Sequence, residues 1–438
     1  MGRMQYLYPF ATVLALAAKE AGAFTIGSPS GLGAGTTGGA GGEVVYPTTN
    51  AELLTYLNDT RPFIIVLNKT FDFRGTEGTT TEIGCRPVEN LMCMEKNNGF
   101  KGQDMILRKG KNITSDCADG TEVMVTYDNA ALNRALVRDN KTIRGIGKKG
   151  VMIGKGLTLR NNIIVQNIFI TELNPSLNWA GDAIFIPGSI DGTVVGYNIW
   201  IDHVKVSRIG RQMVVTNKAG VSSMTISNSD FDGHTDFSSS CDGHHSWTFL
   251  LSGKSTGITM INNYVHGTSG RSPRVGGEKD NKVVVHIVNN YWGDSTGHSL
   301  DVAENAHVLA EGNYFENTNQ TLKNGTEGCL YVFNSTVGPD MCKSYLGRSC
   351  APNVLVHNSS LTERNGACAL EAMKGYPNII DFSSKSARAA DIDQKRGKQS
   401  SSEADKLYCG MTPLPVPASE LVGEWARTTG NYGVGNLD

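Results

Sequence analysis

The stretch NIWIDHVKVSRIGRQMVV, residues 198–215, shows the pattern on which the fold depends. It contains short apolar runs that end in polar or glycine residues, and similar runs recur on both sides of it from Asn140 onward. They include KTIRGIG, VMIGKGLTL, NIIVQNIFI, SMTISNSDF, GITMINNYV, KVVVHIVNNYW and AHVLAEGNYF. Apolar and β-branched runs bounded by turn residues are typical of β-strands.

Asparagine follows several of these runs, at Asn167, Asn228, Asn263, Asn290 and Asn313. From Asn228 onward the separations are irregular and run from 23 to 35 residues, the range of solenoid coils with loops of variable length. In a parallel β-helix, stacked asparagines can form an internal ladder that satisfies the backbone groups of the turns. A β-sandwich gives no reason for asparagine to recur in phase. The sequence therefore predicts an all-β fold, a single-stranded parallel β-helix.

Composition narrows the class of protein. With 438 residues, 39% hydrophobic and 19% charged, the chain can fold and bury a large core. Its formal charge of −2 provides no field for a polyanion, so a neutral polymer suits this surface better than nucleic acid.

The first 23 residues are typical of a signal peptide. Arg3 precedes an apolar run over residues 9–18, and Ala21-Gly22-Ala23 is a small-residue cleavage pattern. The run is too short to span a bilayer, so we expect a secreted protein that is not a membrane protein.

Glycosylation and cysteine patterns agree with export. Asn-x-Ser/Thr sequons begin at Asn58, Asn68, Asn112, Asn140, Asn319, Asn324, Asn334 and Asn358. The nine cysteines lack the paired C-x-x-C spacing of a zinc site, which favours disulfides with at least one thiol left over.

The expected organisation is one β-helix domain over residues 24–380, followed by a polar loop and a tail over 381–438 that packs on the solenoid. The glycine-rich segment 27–43 contains a G-x-G-x-x-G match at 33–38. No strand precedes it and no helix follows, which excludes a dinucleotide site and leaves a loose arm or an end cap.

We predict a short helix over residues 51–57 with Asn50 as its N-cap. The strand pattern dissolves after Asn319.

Between Trp179 and Gly276 the chain concentrates charged and aromatic residues on short apolar runs: Asp182, Asp202, Arg208, Arg211, Trp247, Arg271 and Arg274. A folded core needs no such set, so we interpret this stretch as the functional site.

Several motifs here, in order, closely resemble the pectin lyases of fungi, within the pectate lyase superfamily. They are GDAI at 181–184, WIDHV at 200–204, RIGRQ at 208–212, CDGHHSW at 241–247 and SGRSPRV at 269–275. The likeness extends over roughly Val44 to Pro352, with VLNKTFDF, IFITELNPSLNW and AEGNYFEN. The resemblance implies a right-handed parallel β-helix and cleavage of α-1,4-linked methyl-galacturonan by β-elimination, by a monomer acting on methyl-esterified pectin.

Elimination removes a proton from C5, next to the ester carbonyl, and expels the glycosidic oxygen from C4. It needs a base at C5 and positive charge near the developing enolate. By resemblance Arg271 is the base. Arg211 and Arg274 supply the cationic field, with Arg211 close to the ester, and Arg208 adds a substrate contact.

The metal prediction depends on two positions. Pectate lyases hold calcium with acidic residues, and Asp182 matches one such ligand, but the other two positions are Arg211 and Val215. We expect Arg211 to pair with Asp182 in place of the cation, and neither a metal nor another cofactor to be required.

The resemblance also implies that Trp179 and Trp247 line the substrate cleft, with core packing as the alternative for each. It implies disulfides Cys93–Cys241 and Cys342–Cys350, favours Cys85–Cys117, and leaves Cys329, Cys368 and Cys409 unassigned. His203 is expected to serve packing, and His244 and His245 to point to opposite faces of a strand. The sequence departs from the family between Cys85 and Val125, where the fungal enzymes carry further tryptophans.

Three other functions stay open. A calcium-dependent pectate lyase needs acidic ligands, and a hydrolase of the polygalacturonase type needs clustered aspartates around a water molecule. The third is a catalytically silent pectin-binding wall protein, against which the set Asp182, Arg211 and Arg271 argues.

Overall fold

A computed structural model describes residues 25, 27–107, 117, 119–189, 191–333, 341–356 and 360–376. The predicted signal peptide, the segment 381–438 and Cys409 lie outside the described residues. Among the described helices, none has the length and apolar character needed to cross a membrane.

The first sheet contains ten strands, all parallel, that stack in chain order. The strands are Glu43–Val45, Phe63–Leu67, Lys141–Gly145, Ile163–Gln166, Ile199–Asp202, Met224–Ser227, Ser255–Ile261, Lys282–Val288, Ala306–Glu311 and Cys329–Val332.

The second and third sheets are also parallel, and the long strand Tyr291–Val302 joins them into one set of 15 strands. The second sheet contains Thr70–Asp72, Val151–Ile153, Phe169–Leu173, Lys205–Ile209, Asp230–Asp232, Tyr264–Thr268, Tyr314–Leu322 and Val354–Val356. The third sheet contains Ala135–Val137, Leu157–Leu159, Ile184–Ile186, Val214–Thr216, Phe249–Leu251 and Arg274–Val275.

Successive turns of the chain add strands to these sheets in chain order, which confirms the predicted parallel β-helix. Equivalent residues stack in register: Ile201 lies beside Ile226, which lies beside Met260 in the next coil, and all three are fully buried. Crossovers between parallel strands are almost always right-handed, which gives the solenoid its sense.

Smaller elements flank the solenoid. A side sheet pairs Thr79–Arg86 antiparallel with Thr121–Asp128 and with Asp104–Met105, which also pairs with Leu177–Asn178. The described helices are Asn50–Asn58, Val88–Met94, Asn129–Leu132, Cys342–Leu346 and Gly366–Met373, with a 3₁₀ turn at Gly31–Gly33.

The helix Asn50–Asn58 begins one residue before the predicted start. Its N-cap is Thr49, not Asn50, because the Thr49 side chain accepts a hydrogen bond from the Glu52 amide at 3.1 Å. Leu53 and Leu57 are fully buried against the core.

The glycine-rich segment is a packed strap along the outside of the first sheet. The amides of Leu32, Gly33 and Gly39 donate to the hydroxyls of Thr259, Thr225 and Thr142, at 2.9–3.0 Å. A Cβ atom on Gly33 would lie 2.7 Å from the Thr225 amide nitrogen, so the close approach requires glycine.

The internal asparagine ladder contains only some of the asparagines that the sequence predicts for it. The backbone amides of Ser229, Asn263, Asn290 and Asn313 each donate to the side-chain oxygen of an asparagine in the next coil, the last of these acceptors being Asn353. Asn290 is fully buried and also donates to the Met260 carbonyl at 2.9 Å.

Asn167 and Asn228 lie one position earlier than this ladder, at a turn residue with a left-handed backbone. Their φ angles are 58° and 48°, and Asn262 and Asn289 occupy the same turn in later coils. His203, with φ 50°, takes this turn position in its coil rather than a strand position. Asparagine is favoured there because its short polar side chain tolerates positive φ.

The strand pattern does not dissolve after Asn319. The coils continue through Cys329–Val332 and Val354–Val356, separated by the helix Cys342–Leu346. The intervening insertion hides the repeat from a sequence reading.

Four disulfides connect the described cysteines: Cys85–Cys117, Cys93–Cys241, Cys329–Cys368 and Cys342–Cys350. The pair Cys329–Cys368, which the sequence left unassigned, joins the last strand of the first sheet to the helix Gly366–Met373.

Replacing Asn290 by Ala should lower the free energy of unfolding by about 3 kcal/mol, because it leaves the buried Asn263 amide and Met260 carbonyl without this partner. Urea denaturation against Asn281→Ala, on a surface turn, measures the difference. Equal stability of the two variants would contradict a structural role for the ladder.

Glu311 predicts an acid dependence of stability. Burial alone would raise the pKa of Glu311, but the hydrogen bond from His286 and the charge of Arg348 lower it to about 2. This stabilisation is complete above the ordinary pKa near 4.5 and is lost as the pH falls toward 2. Glu311→Gln should lower the free energy of unfolding by about 3 kcal/mol at pH 7, and by progressively less below pH 4. Urea denaturation at pH 7 and below pH 4 measures this difference, with the exposed Glu371→Gln as the control. A loss of stability that does not change with pH would refute the role of Glu311.

Candidate active site

The candidate site lies along the third sheet, at the segments that lead into its strands. Asp182 precedes Ile184–Ile186, Arg211 precedes Val214–Thr216, Trp247 precedes Phe249–Leu251, and Arg271 precedes Arg274–Val275. Because these strands are neighbours in the sheet, residues far apart in sequence lie side by side.

Two guanidinium groups converge on Trp247. The Arg271 Cζ lies 4.7 Å and the Arg211 Cζ 5.4 Å from the Trp247 ring centroid. Arg211 also stacks on Trp179, with its Cζ 3.0 Å from that ring. Both tryptophans are half-buried, so part of each ring faces solvent. The structure thus places four of the predicted residues together.

Asp182 lies beside them, but its ion pair is with a residue that the sequence did not indicate. Its Oδ2 is 3.3 Å from Arg134 Nη1, and its Oδ1 accepts the Gln212 amide at 3.1 Å. Arg211, for which the sequence predicts a pairing with Asp182, donates to Asn178 Oδ1 at 3.3 Å. The rings of Trp179 and Trp247 lie against its guanidinium, an arrangement that cation–π attraction stabilises.

The Arg271 guanidinium has a pKa below its ordinary value. Burial lowers the pKa of its guanidinium, and the positive charge of Arg274 lowers it further, while Asp301 opposes the shift. The Arg271 backbone has φ 49°, and its amide donates to His298 Nε2 at 3.3 Å. The Arg271 backbone is therefore held by His298, and its side chain lies within the field of a second cation, Arg274.

Arg274 occupies the outer face of the third sheet, in register with Leu250 and Val215. It donates to Asp301 Oδ2 at 3.0 Å, a fully buried carboxylate that also contacts Lys323 at 3.4 Å. Asp301 thereby fixes Arg274 and offsets part of its charge.

Arg208 lies on the second sheet, not the third. It pairs with Glu172, and its Nη1 is 3.4 Å from Asp236 Oδ2. Since carboxylates already hold it, its role in substrate binding stays a prediction.

Gln103 is another residue that the sequence did not indicate. It lies in the segment that departs from the family, and its Oε1 accepts the Trp247 indole N–H at 3.0 Å. Its Nε2 donates to the carbonyls of Pro175 and Gly210. A buried glutamine here therefore orients Trp247, a function that no local sequence signal indicates.

The donor set does not fit a calcium ion at Asp182. Calcium takes six to eight oxygen ligands, whereas Arg211 and Val215 supply none and Arg134 already neutralises Asp182. Of the described groups of three or more side chains able to hold a metal, none includes Asp182.

His203 and His245 have structural partners. His203 Nδ1 is 2.8 Å from Asp202, and His245 is buried with its Nε2 2.7 Å from the Arg211 carbonyl oxygen. Burial lowers the pKa of His245 to about 4, so this ring is neutral at pH 7. His244 points away from it, toward Asp294.

Comparison with known proteins gives the class. The pectate lyase family matches residues 105–345, more than half of the chain. Pectin lyase B of Emericella nidulans is 40% identical over 348 residues, which cover 79% of this chain and 86% of that protein. The probable pectin lyase F of Aspergillus flavus is 42% identical over 379 residues, covering 85% and 83%. A solved pectate lyase matches 83% of this chain and 96% of its own, with 19% identity and a TM-score of 0.46.

The chain therefore belongs to the pectate lyase family of polysaccharide lyases, and within it to the pectin lyases.

Replacing Gln103 by Leu should free the Trp247 indole and raise KM for the polymer by about tenfold, with a smaller change in kcat, since a binding face rather than a reacting group is loosened. Steady-state kinetics measure this, with Gln320→Leu on the second sheet as the control. An effect on kcat alone would contradict the assigned role.

Proposed function

We propose that the chain is an endo-acting pectin lyase that cleaves α-1,4-linked, methyl-esterified polygalacturonan by β-elimination. The observation that carries this is the convergence of Arg211 and Arg271 on the Trp247 ring, beside a carboxylate that Arg134 already neutralises. Positive charge concentrated around a solvent-facing aromatic ring suits an enolate that develops next to an ester carbonyl.

In this mechanism Arg271 accepts the proton from C5 as the glycosidic oxygen leaves C4, which produces a 4,5-unsaturated end. A guanidinium is normally protonated and a poor base. Burial and the charge of Arg274 shift its pKa in the required direction. Arg211 stabilises the ester oxygen where negative charge develops, and Asp182, through Arg134, keeps the local charge balanced.

The methyl ester is the preferred form of the substrate. A free carboxylate would need its charge neutralised, whereas an ester presents a neutral, apolar group that the faces of Trp179 and Trp247 suit. An ester also makes the C5 proton more acidic. A metal is not required for this step.

The proposed enzyme is secreted and acts as a monomer. Disulfides fit an oxidising compartment. The five described sequon asparagines are all exposed and thus accessible to glycosylation: Asn58, Asn68, Asn140, Asn319 and Asn324. A secreted protein with these features meets plant cell-wall pectin directly.

A hydrolase is disfavoured by the pairing of its candidate carboxylates. Hydrolysis needs two carboxyl groups available to act as acid and base. Asp182 is bound by Arg134, and Asp301 by Arg274 and Lys323.

Arg271→Lys tests the proposal. On highly methylated pectin with a chelator present, the wild-type protein should generate absorbance of the unsaturated uronide, and the variant should lose roughly 100-fold or more in kcat because lysine cannot reproduce the guanidinium pose. Arg138→Lys, on the exposed surface, is the matched control.

Absorbance that appears only with polygalacturonate and calcium would assign a pectate lyase. No absorbance on either polymer would favour hydrolysis or a silent binding protein.

A further inference from the structure

A second cluster of ionisable side chains lies on the second-sheet side of the solenoid, apart from the arginines of the cleft. His234 Nε2 and His244 Nε2 each lie 3.3 Å from the same oxygen, Oδ2 of Asp294. All three ligand atoms lie within 4.8 Å of one another. Two imidazole nitrogens and one carboxylate oxygen thus converge on one point.

The spacing fits a transition metal ion. Ligand atoms about 2.0–2.1 Å from a tetrahedral zinc ion lie about 3.3 Å apart, which is the separation of each histidine nitrogen from the Asp294 oxygen. Imidazole nitrogens favour zinc over calcium or magnesium, which prefer oxygen ligands.

The backbone holds the two histidines in place. An isolated antiparallel bridge pairs His234 with His244, and the Thr235 amide donates to the Gly243 carbonyl at 3.0 Å. Asp294 is fixed on the long strand Tyr291–Val302, with its backbone at φ 53°. The three ligands therefore need no chain rearrangement to meet.

Each histidine also has the outer partner that metal ligands usually have. His234 Nδ1 is 2.8 Å from Asp232 Oδ1, and His244 Nδ1 is 2.7 Å from the Asp242 carbonyl oxygen. Such contacts fix the tautomer and present Nε2 to the metal. The side chains of His234 and Asp294 are 46% and 55% exposed, which leaves an open path for a solvent ligand in the fourth position.

We propose that His234, His244 and Asp294 form a zinc-binding site that fastens the loop of residues 233–247 to the long strand. The same loop carries Cys241, which is bonded to Cys93, and ends at Trp247 of the cleft. The ion acts as a structural staple at the back of that loop. It takes no part in elimination, so the proposal is independent of the proposed function.

Calorimetric titration of the chelator-stripped full chain with zinc chloride tests this directly. We expect one site with a Kd on the order of micromolar or below, and a zinc-dependent rise in Tm. His244→Gln and Asp294→Asn should each weaken binding by roughly 100-fold or more, and Asp232→Asn by about 10- to 100-fold. Cobalt bound in place of zinc should give the visible spectrum of a tetrahedral site.

His203→Gln is the matched control, because His203 forms a single histidine–aspartate pair elsewhere on the solenoid. It should bind zinc like the wild-type chain, as should His266→Gln, whose ring centroid lies 5.3 Å from that of His234 but which is not one of the three proposed ligands. Circular dichroism of each variant separates loss of the site from loss of the fold. Absence of zinc binding by the folded wild-type chain, or loss of binding in His266→Gln but not in His244→Gln, would overturn the proposal.

Discussion

The structure depends on one constraint: every backbone strand must hydrogen-bond in register with its equivalent in the coils before and after it. A one-residue slip would turn inward side chains to the solvent. Register is therefore the same at Ile201, Ile226 and Met260, and the core becomes a set of continuous stacks along the axis.

The same constraint positions the residues of the candidate active site. Because each coil advances by one strand spacing, residues at the entry to consecutive strands of the third sheet become neighbours, although the chain separates them by tens of residues. Asp182, Arg211, Trp247 and Arg271 are brought together in this way, and Arg134 precedes a strand two places from that of Asp182. Local partners then fix their charges. Arg134 forms an ion pair with Asp182, and Asp301 forms one with Arg274. The faces of the tryptophans contact the guanidinium groups of Arg211 and Arg271.

Two neighbouring positions in the turns between the sheets are often asparagine, for different physical reasons. The inner position needs a side chain that can accept the amide of the preceding coil, as Asn290 does for Asn263. The preceding turn position needs a residue that tolerates positive φ, as Asn262 and Asn289 do. In the sequence both positions are an asparagine after an apolar run, so the pattern predicts Asn167 and Asn228 in the inner ladder as well. The coils beyond Asn319 are not evident from the sequence for a related reason, since an insertion separates their strands.

The sequence by itself determined the class of fold, and it singled out the arginines and tryptophans that the structure brings together beside the third sheet. It also showed that Arg211 and Val215, which carry no carboxylate, occupy the two positions compared with calcium ligands. These features follow from local patterns and from motifs with fixed spacing. Only the tertiary structure decided the partners. Arg134, Gln103 and Asp301, and the meeting of His234, His244 and Asp294, depend on which coils and loops lie side by side. Pairing across coils depends on the strand register and on the lengths of the loops. The sequence around any one residue specifies neither.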